Sequence, residues 1–283
     1  MERRYIDTHA HLNLRDFSED ALQVAKKCAA EGVVVINVGT KASTSKRAVE
    51  IANKADNCFA IIGLHPINTA PDSHDEEGGE AETFDSEFYR VLAKSGKVVG
   101  IGECGFDYYR TSGGYAEVGS YEMQEQAFIA QIELANELGL PLMIHTRGPK
   151  LGQESPTGRS VYQDVYEVLK QYAKVPFNIH FYAGTYEEAA RFFALGGTIS
   201  FTGVITFPKT ESYAEVIKNA PLDRLHAETD CPYVAPIPYR GKRAEPWMVQ
   251  EVYRKIAAIK GLSEEVVREQ LLLNASRQYR LSL

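Results

Sequence analysis

Asp7, His9 and His11 alternate in "IDTHAHL" (6–12). In an extended strand, residues two apart share a face. The spacing therefore aims both imidazoles one way, with the Asp7 carboxylate just behind them, an arrangement that suits a metal ion. One HxH is a weak signal, so other donors are required. His65 follows "GL" at 63–64, and Glu103 closes "KVVGIGE" (97–103). His145 closes "LPLMIH" (140–145), His180 closes "VPFNIH" (175–180) and Asp230 closes "RLHAETD" (224–230). Five of the seven histidines stand at the end of an apolar run, and only His74 and His226 do not. That concentration is the signal.

His9, His11, His145 and His180 with Glu103 and Asp230 make a mixed nitrogen and oxygen donor set. It suits zinc, manganese, iron, cobalt or nickel, with magnesium also admissible. Six donors exceed what one ion with an open position needs, so two divalent ions are expected. Glu103 is the natural bridge, Asp230 joins His9 and His11, and His145 joins His180. For His65, a substrate contact weighs evenly against an ordinary hydrogen-bonded histidine. Glu228, two residues before Asp230, is placed to orient a ligand imidazole, and Asp7 has a similar supporting role. His226 lies four residues before Asp230, ~13 Å along a strand, and is expected inside the core. His74 reads as a solvated loop residue.

These donors need elements that bring them to one place. "VVVINVG" (33–39), "CFAIIGL" (58–64), "KVVGIGE", "LPLMIH", "VPFNIH", "GGTISF" (196–201) and "RLHAETD" read as buried parallel strands, with "RYIDTH" (4–9) before them. Helical patterns fall between them at 18–31, 43–56, 84–95, 121–138, 160–173, 185–194 and 211–219. Two more, 245–260 and 263–279, close the chain. Gly139 and Pro141 stop one helix, and Ser263 caps another. Eight such alternations predict an α/β protein with a (β/α)8 barrel, read as one domain over 1–283. A doubly wound open sheet is the alternative. In a barrel the strand C-termini share one mouth, and there the donors would meet.

Composition narrows the class. The chain has 283 residues, 44% of them hydrophobic, and a net charge of −7. That charge argues against a general nucleic-acid coat but allows an enzyme acting on phosphates. No leader-like or membrane-length apolar run is seen, so no membrane partner is expected. Cys28, Cys58, Cys104 and Cys231 are scattered, which reads as free thiols in a reducing cytoplasm. The oligomeric state is open.

At this point the motifs are familiar. "DTHAHL" (7–12), "GLHP" (63–66), "GECGFDYY" (102–109), "PLMIHTR" (141–147), "SFTGVITF" (200–207), "ETDCPYVAP" (228–236), "YRGKRAEP" (239–246) and "NASR" (274–277) together resemble the TatD-like metal-dependent deoxyribonucleases. The resemblance spans nearly the whole chain. It implies a (β/α)8 barrel of the amidohydrolase-like kind with a two-metal centre. It places the family's ligands on His9, His11, Glu103, His145, His180 and Asp230. It also implies divalent-metal-dependent DNA hydrolysis of the 3′→5′ exonuclease type. Where the family often reads "HCFSG" or "HCFTG", this chain has "HFYAG" (180–184). That change puts Phe181 and Tyr182 beside a ligand and bears on substrate preference. The loop 71–82 is unusually acidic.

The expected chemistry is hydrolysis by an activated water, with Glu103 and Asp230 as catalytic carboxylates and Asp230 as the general base. DNA or another phosphodiester is the expected substrate. Arg147, Arg240, Lys242 and Arg243 would contact it, with Arg110 and Lys209 weaker candidates. His65 and Tyr108 would line the same rim, and rings such as Tyr109, Phe181, Tyr182, Tyr233 and Tyr239 could stack on bases. Two alternatives stand beside this. The same centre could cleave an amide, ester or lactone, including an aminoacyl-tRNA ester. The chain could also be a non-catalytic metal-dependent binding protein.

Overall fold

A computed structural model describes residues 3–70, 80–109 and 120–282. His74, Arg110 and most of the acidic loop 71–82 lie outside the described residues. The chain folds as β1 (Tyr5–Ala10), α1 (Ala21–Ala30), β2 (Val33–Val38), α2 (Ala42–Lys54), β3 (Cys58–Ile62), α3 (Ser86–Leu92), β4 (Val98–Asp107) and α4 (Ser120–Leu138). It continues as β5 (Leu142–Arg147), α5 (Val161–Tyr172), β6 (Phe177–Ile179), α6 (Tyr186–Ala194), β7 (Thr198–Phe201), α7 (Glu211–Asn219), β8 (Leu225–Ala227), α8 (Val249–Lys260) and α9 (Glu264–Tyr279).

The strands run parallel in the order β1 to β8. Asp230 N donates to His9 O (2.9 Å) and His11 N to Cys231 O (3.0 Å), which joins the last strand to the first. This is the (β/α)8 architecture expected from the alternation. Strands in it are covered on both faces, which explains runs such as "VVVINV", buried at every position. One apolar layer lies between strands and helices. The other fills the barrel, with Ile6, Val34, Ile36, Ile61 and Met143 closed from below by Ala275 and Tyr279 of α9.

Helix ends follow local chemistry. Thr185 and Glu188 form a reciprocal capping box at α6. Ser263 caps α9 at Val266 N, and α8 stops at Gly261 with φ 66°.

Three strand pairings shift register, β3 with β4 between Ala60 and Ile61 among them, and the other two shifts serve the mouth. Pairing of β1 with β2 shifts between Asp7 and Ala10, and pairing of β4 with β5 shifts between Ile101 and Cys104. Such bulges re-aim side chains. The first reverses the alternation, so His9 and His11 point into the mouth while Asp7 stays on the helix-facing side. The second carries Glu103. Gly102 and Gly105 flank it with φ +145° and +136°, and a Cβ on Gly105 would lie 2.2 Å from His145 O. Only glycine lets β4 pass β5 this closely.

Candidate metal centre

The mouth is a cavity of about 540 Å³ lined by His11, His65, Glu103, Asp107, His145, His180 and Asp230, with Arg147, Phe181 and Tyr233 at its edge. Glu103 stands at the centre of the donors, almost wholly buried. Its Oε2 lies 3.3 Å from His9 Nε2 and 4.0 Å from His11 Nε2. Its Oε1 lies 2.7 Å from His145 Nδ1, 2.8 Å from His180 Nε2 and 3.5 Å from His65 Nε2. Asp230 Oδ1 completes the first group, 3.2 Å from His11 Nε2 and 3.7 Å from His9 Nε2. The two oxygens of one carboxylate therefore face two separate donor groups.

Tautomers follow from fixed partners. His11 Nδ1 lies 2.8 Å from Val38 O, an acceptor only, so this nitrogen carries a proton and in the neutral ring Nε2 has the lone pair. Its Nε2 lies 3.1 Å from His9 Nε2. Ligands held ~2.1 Å from one ion are ~3 to 3.5 Å apart, so these atoms fit a shared cation. His180 turns Nε2 to Glu103, with Glu228 Oε1 3.3 Å from its Nδ1 as a charged neighbour without a formed hydrogen bond. His65 is different. Its Nδ1 accepts from Ile67 N (3.0 Å), so in the neutral ring Nε2 carries the proton. His65 is a donor into the mouth, and burial pushes its imidazole down to about 3, which keeps it neutral.

The charges reinforce one another. Burial works to raise Glu103, but His180, His65, His9 and the hydrogen bond from His145 hold it well below the usual carboxylate range. Burial likewise opposes ionisation of Asp230, and His11, His9 and His180 outweigh it. Two carboxylates kept anionic among converging imidazoles make a site chemically matched to a divalent cation.

Supporting groups fix this geometry. Glu228 Oε1 accepts from Phe181 N (2.7 Å), which sets the backbone after His180. Asp7 accepts from Thr229 N (2.9 Å), Thr229 Oγ1 (2.5 Å) and His9 N (3.2 Å). It therefore acts on the backbone of the β1–β8 seam rather than beside the imidazoles. That corrects the expected orientation, and the cause is the bulge in β1. Asp230 and Phe181 adopt left-handed φ of 55° and 47°, a cost of about 1–3 kcal/mol each that the surrounding hydrogen bonds must cover.

Other expected contacts fall elsewhere. Tyr108 is completely buried, its hydroxyl 2.8 Å from Asp164 Oδ2, so it does not line the mouth. Its neighbour Asp107 is inward instead. Arg243 is tied to Asp20 (2.6 Å) and Glu245 (3.3 Å) and covers the Phe17 ring, away from the donors. Arg240 lies over Phe207 and Lys242 is exposed, while Arg147 stacks on Tyr109 at the rim. Tyr182 is buried with its hydroxyl on Thr185 O, and Tyr239 packs against Trp247.

Three side chains are not evident from the sequence pattern. Asp107 Oδ2 lies 3.2 Å from His145 Nε2. The apolar run ends strand four at Glu103, four residues short of where β4 stops. Gln124 and Gln131 of α4 each clamp a strand end with both amide atoms. Gln124 holds Asp107 N (2.9 Å) and O (3.2 Å), and Gln131 holds Leu64 N and O (both 2.9 Å). Two glutamines one heptad apart on a core-facing helix are the available clue.

An eight-stranded barrel with this donor set at its C-terminal mouth is the architecture of a metal-dependent hydrolase. Residues 6–280 match the family described as TatD related DNase, and the chain belongs to that family. It is 33% identical over 279 residues to the uncharacterized metal-dependent hydrolase YabD of Bacillus subtilis, covering 98% of this chain and 99% of that protein. It is 30% identical over 284 residues to the 3′-5′ ssDNA/RNA exonuclease TatD of Erwinia billingiae, covering 97% and 98%. Among solved structures, the TatD homologue YJJV of Escherichia coli superposes with TM-score 0.81 at 25% identity, covering 99% of this chain and all of the other.

Proposed function

We propose that this protein hydrolyses phosphodiester bonds in single-stranded nucleic acid, acting from the 3′ end, with two divalent ions in the barrel mouth. The observation that carries the reading is Glu103, whose Oε2 faces His9 and His11 while Oε1 faces His145 and His180. His9, His11, Asp230 and Glu103 would hold one ion, and His145, His180 and Glu103 the other. Ions bound there would polarise a phosphoryl oxygen and make a water acidic enough to attack at neutral pH.

The chain's own groups supply the rest. Asp230, ionised and facing the first donor group, receives the proton of the attacking water. His65 Nε2–H points at Glu103 and the cavity, where it donates to a substrate oxygen. Arg147, its guanidinium carbon 4.0 Å from the Tyr109 ring centroid, offers a planar fork for a phosphate at the rim. Phe181 and Tyr233 line the same cavity and offer faces for bases. The Erwinia relative's named activity, 3′-5′ cleavage of ssDNA and RNA, supports the polarity and substrate class.

With Arg243 committed to Asp20 and Glu245, the loop after β8 keeps two cations that could meet a phosphate instead of three. That observation keeps cleavage of an uncharged ester or amide as the second reading. One experiment separates them. The protein is stripped with chelator, reloaded with Mn²⁺, Mg²⁺ or Zn²⁺, and assayed on 3′- and 5′-labelled oligonucleotides beside a neutral ester, with bound metal counted. Turnover of the oligonucleotide from its 3′ end at two ions per chain is expected. Turnover confined to the ester, or no more than one ion bound in excess metal, would refute the proposal.

A further inference from the structure

His145 stands between two carboxylates. Its Nδ1 is 2.7 Å from Glu103 Oε1 and its Nε2 is 3.2 Å from Asp107 Oδ2. Asp107 is 2% exposed and held on several sides. Its Oδ1 accepts from Tyr109 N (2.9 Å), and Gln124 grips its backbone N and O. A carboxylate this fixed can hold a ring in one orientation.

We propose that Asp107 is a positioning residue that accepts a hydrogen bond from His145 Nε2–H, so that His145 offers Nδ1, and not Nε2, to the ion against Glu103. This rests on the reading that an ion occupies the Glu103–His145–His180 group. His11 has the opposite arrangement, with Nδ1–H on Val38 O and Nε2 toward the cavity. His145 thus turns the opposite ring nitrogen to the centre from His11 and His180. Carboxylate partners of this kind fix the tautomer and raise the basicity of a ligating imidazole.

A rival arrangement is close by. Donor atoms of His65, Asp107 and His145 lie within 4.8 Å of one another and could in principle hold an ion of their own. His65 rules against it. Its ring packs edge-on against His145 at 4.2 Å, but Ile67 N–H occupies Nδ1, so its Nε2 bears a proton and has no lone pair to give. Asp107 is then left facing an N–H, as a hydrogen-bond acceptor.

The test uses the full chain, ¹⁵N-histidine labelled and loaded with ¹¹³Cd²⁺. Coupling of cadmium to His145 Nδ1 and to His11 Nε2 is expected. Asp107→Ala should weaken one of two Cd²⁺ sites by about 10- to 100-fold and leave the other unchanged. Asp107→Asn, whose amide oxygen accepts the same proton, should bind both ions nearly as wild type does. Coupling at His145 Nε2 overturns the proposal, as does an Asp107→Ala variant with two wild-type sites. If Asn loses the ion as fully as Ala, Asp107 is itself a ligand and the proposal is wrong. Should Asp107→Ala fail to fold, the wild-type coupling and the Asn variant still decide. A wild-type chain that never binds a second Cd²⁺ would instead sink the two-ion reading and this proposal with it, a result distinct from coupling at the wrong nitrogen.

Discussion

His226 sits inside the barrel with no solvent exposure, its ring 6.1 Å from that of Tyr279. Among the described residues, neither ring nitrogen has a hydrogen-bond partner. Burial alone pushes the imidazole down from 6.5 to about 3. In the unfolded chain the ring takes up its proton near pH 6.5, and in the folded chain not until about pH 3. Between those values the unfolded state binds more protons. The stability associated with a neutral His226 is thus complete above pH 6.5 and is lost as pH falls toward 3, with a slope approaching ~1.4 kcal/mol per pH unit. From pH 7 to pH 5 the loss is ~2 kcal/mol. His226→Leu removes the titration and two unsatisfied atoms while keeping an apolar volume. Urea unfolding of both proteins at pH 7 and pH 5, in chelator, isolates the effect, because all other titrating groups cancel in the difference. The leucine variant should gain ~2 kcal/mol on the wild type between the two pH values, and it should be at least as stable at pH 7. Parallel losses would refute the argument and mean that the ring keeps a partner when charged.

Asp230→Asn should lower kcat by about 10²- to 10⁴-fold in single-turnover assays at saturating metal, with the thermal midpoint little changed. Near-full turnover would remove Asp230 as the base. Gly105→Ala should cost more than ~2 kcal/mol in denaturant unfolding, because the new Cβ meets the His145 carbonyl at 2.2 Å and φ is +136°. An unaltered midpoint would show that β4 can move. Arg243→Ala should cost about 1 kcal/mol of stability, since its ion pairs are partly screened, and should leave oligonucleotide affinity alone. Arg240→Ala with Lys242→Ala should instead flatten the salt dependence of binding by about 0.7 for each phosphate no longer neutralised. Equal slopes would mark that loop as plain surface.

The barrel is legible in the sequence because parallel strands covered on both faces are continuous apolar runs, and helices between them carry their own caps. The donors are legible because each is a polar residue ending such a run. What sequence could not show is where a strand departs from alternation. The bulge after Asp7 puts that carboxylate on the opposite side from the His9 ring, and the shift around Glu103 carries β4 on to Asp107. Loop residues are the least legible. Tyr108 and Tyr109 are adjacent, yet one is buried on Asp164 and the other lies exposed beneath Arg147. Nothing in their order says which is which. Arg243 reads as a phosphate contact until Asp20, far away in sequence, is found holding it.

The seam between β1 and β8 gives the two donor groups different histories. Asp7 and Thr229, which clip it shut, are 222 positions apart, and His9, His11 and Asp230 are aligned by the same junction. That long closure carries the largest loop entropy in the barrel and is the last strand pairing a chain emerging in order can make. Glu103, His145 and His180 are all present on neighbouring central strands much earlier. A chain that ends before β8 therefore contains Glu103, His145 and His180 but lacks the Asp230 that completes the other group. The seam makes the first donor group wait on the last strand, so that a polypeptide ending before β8 lacks the full donor set.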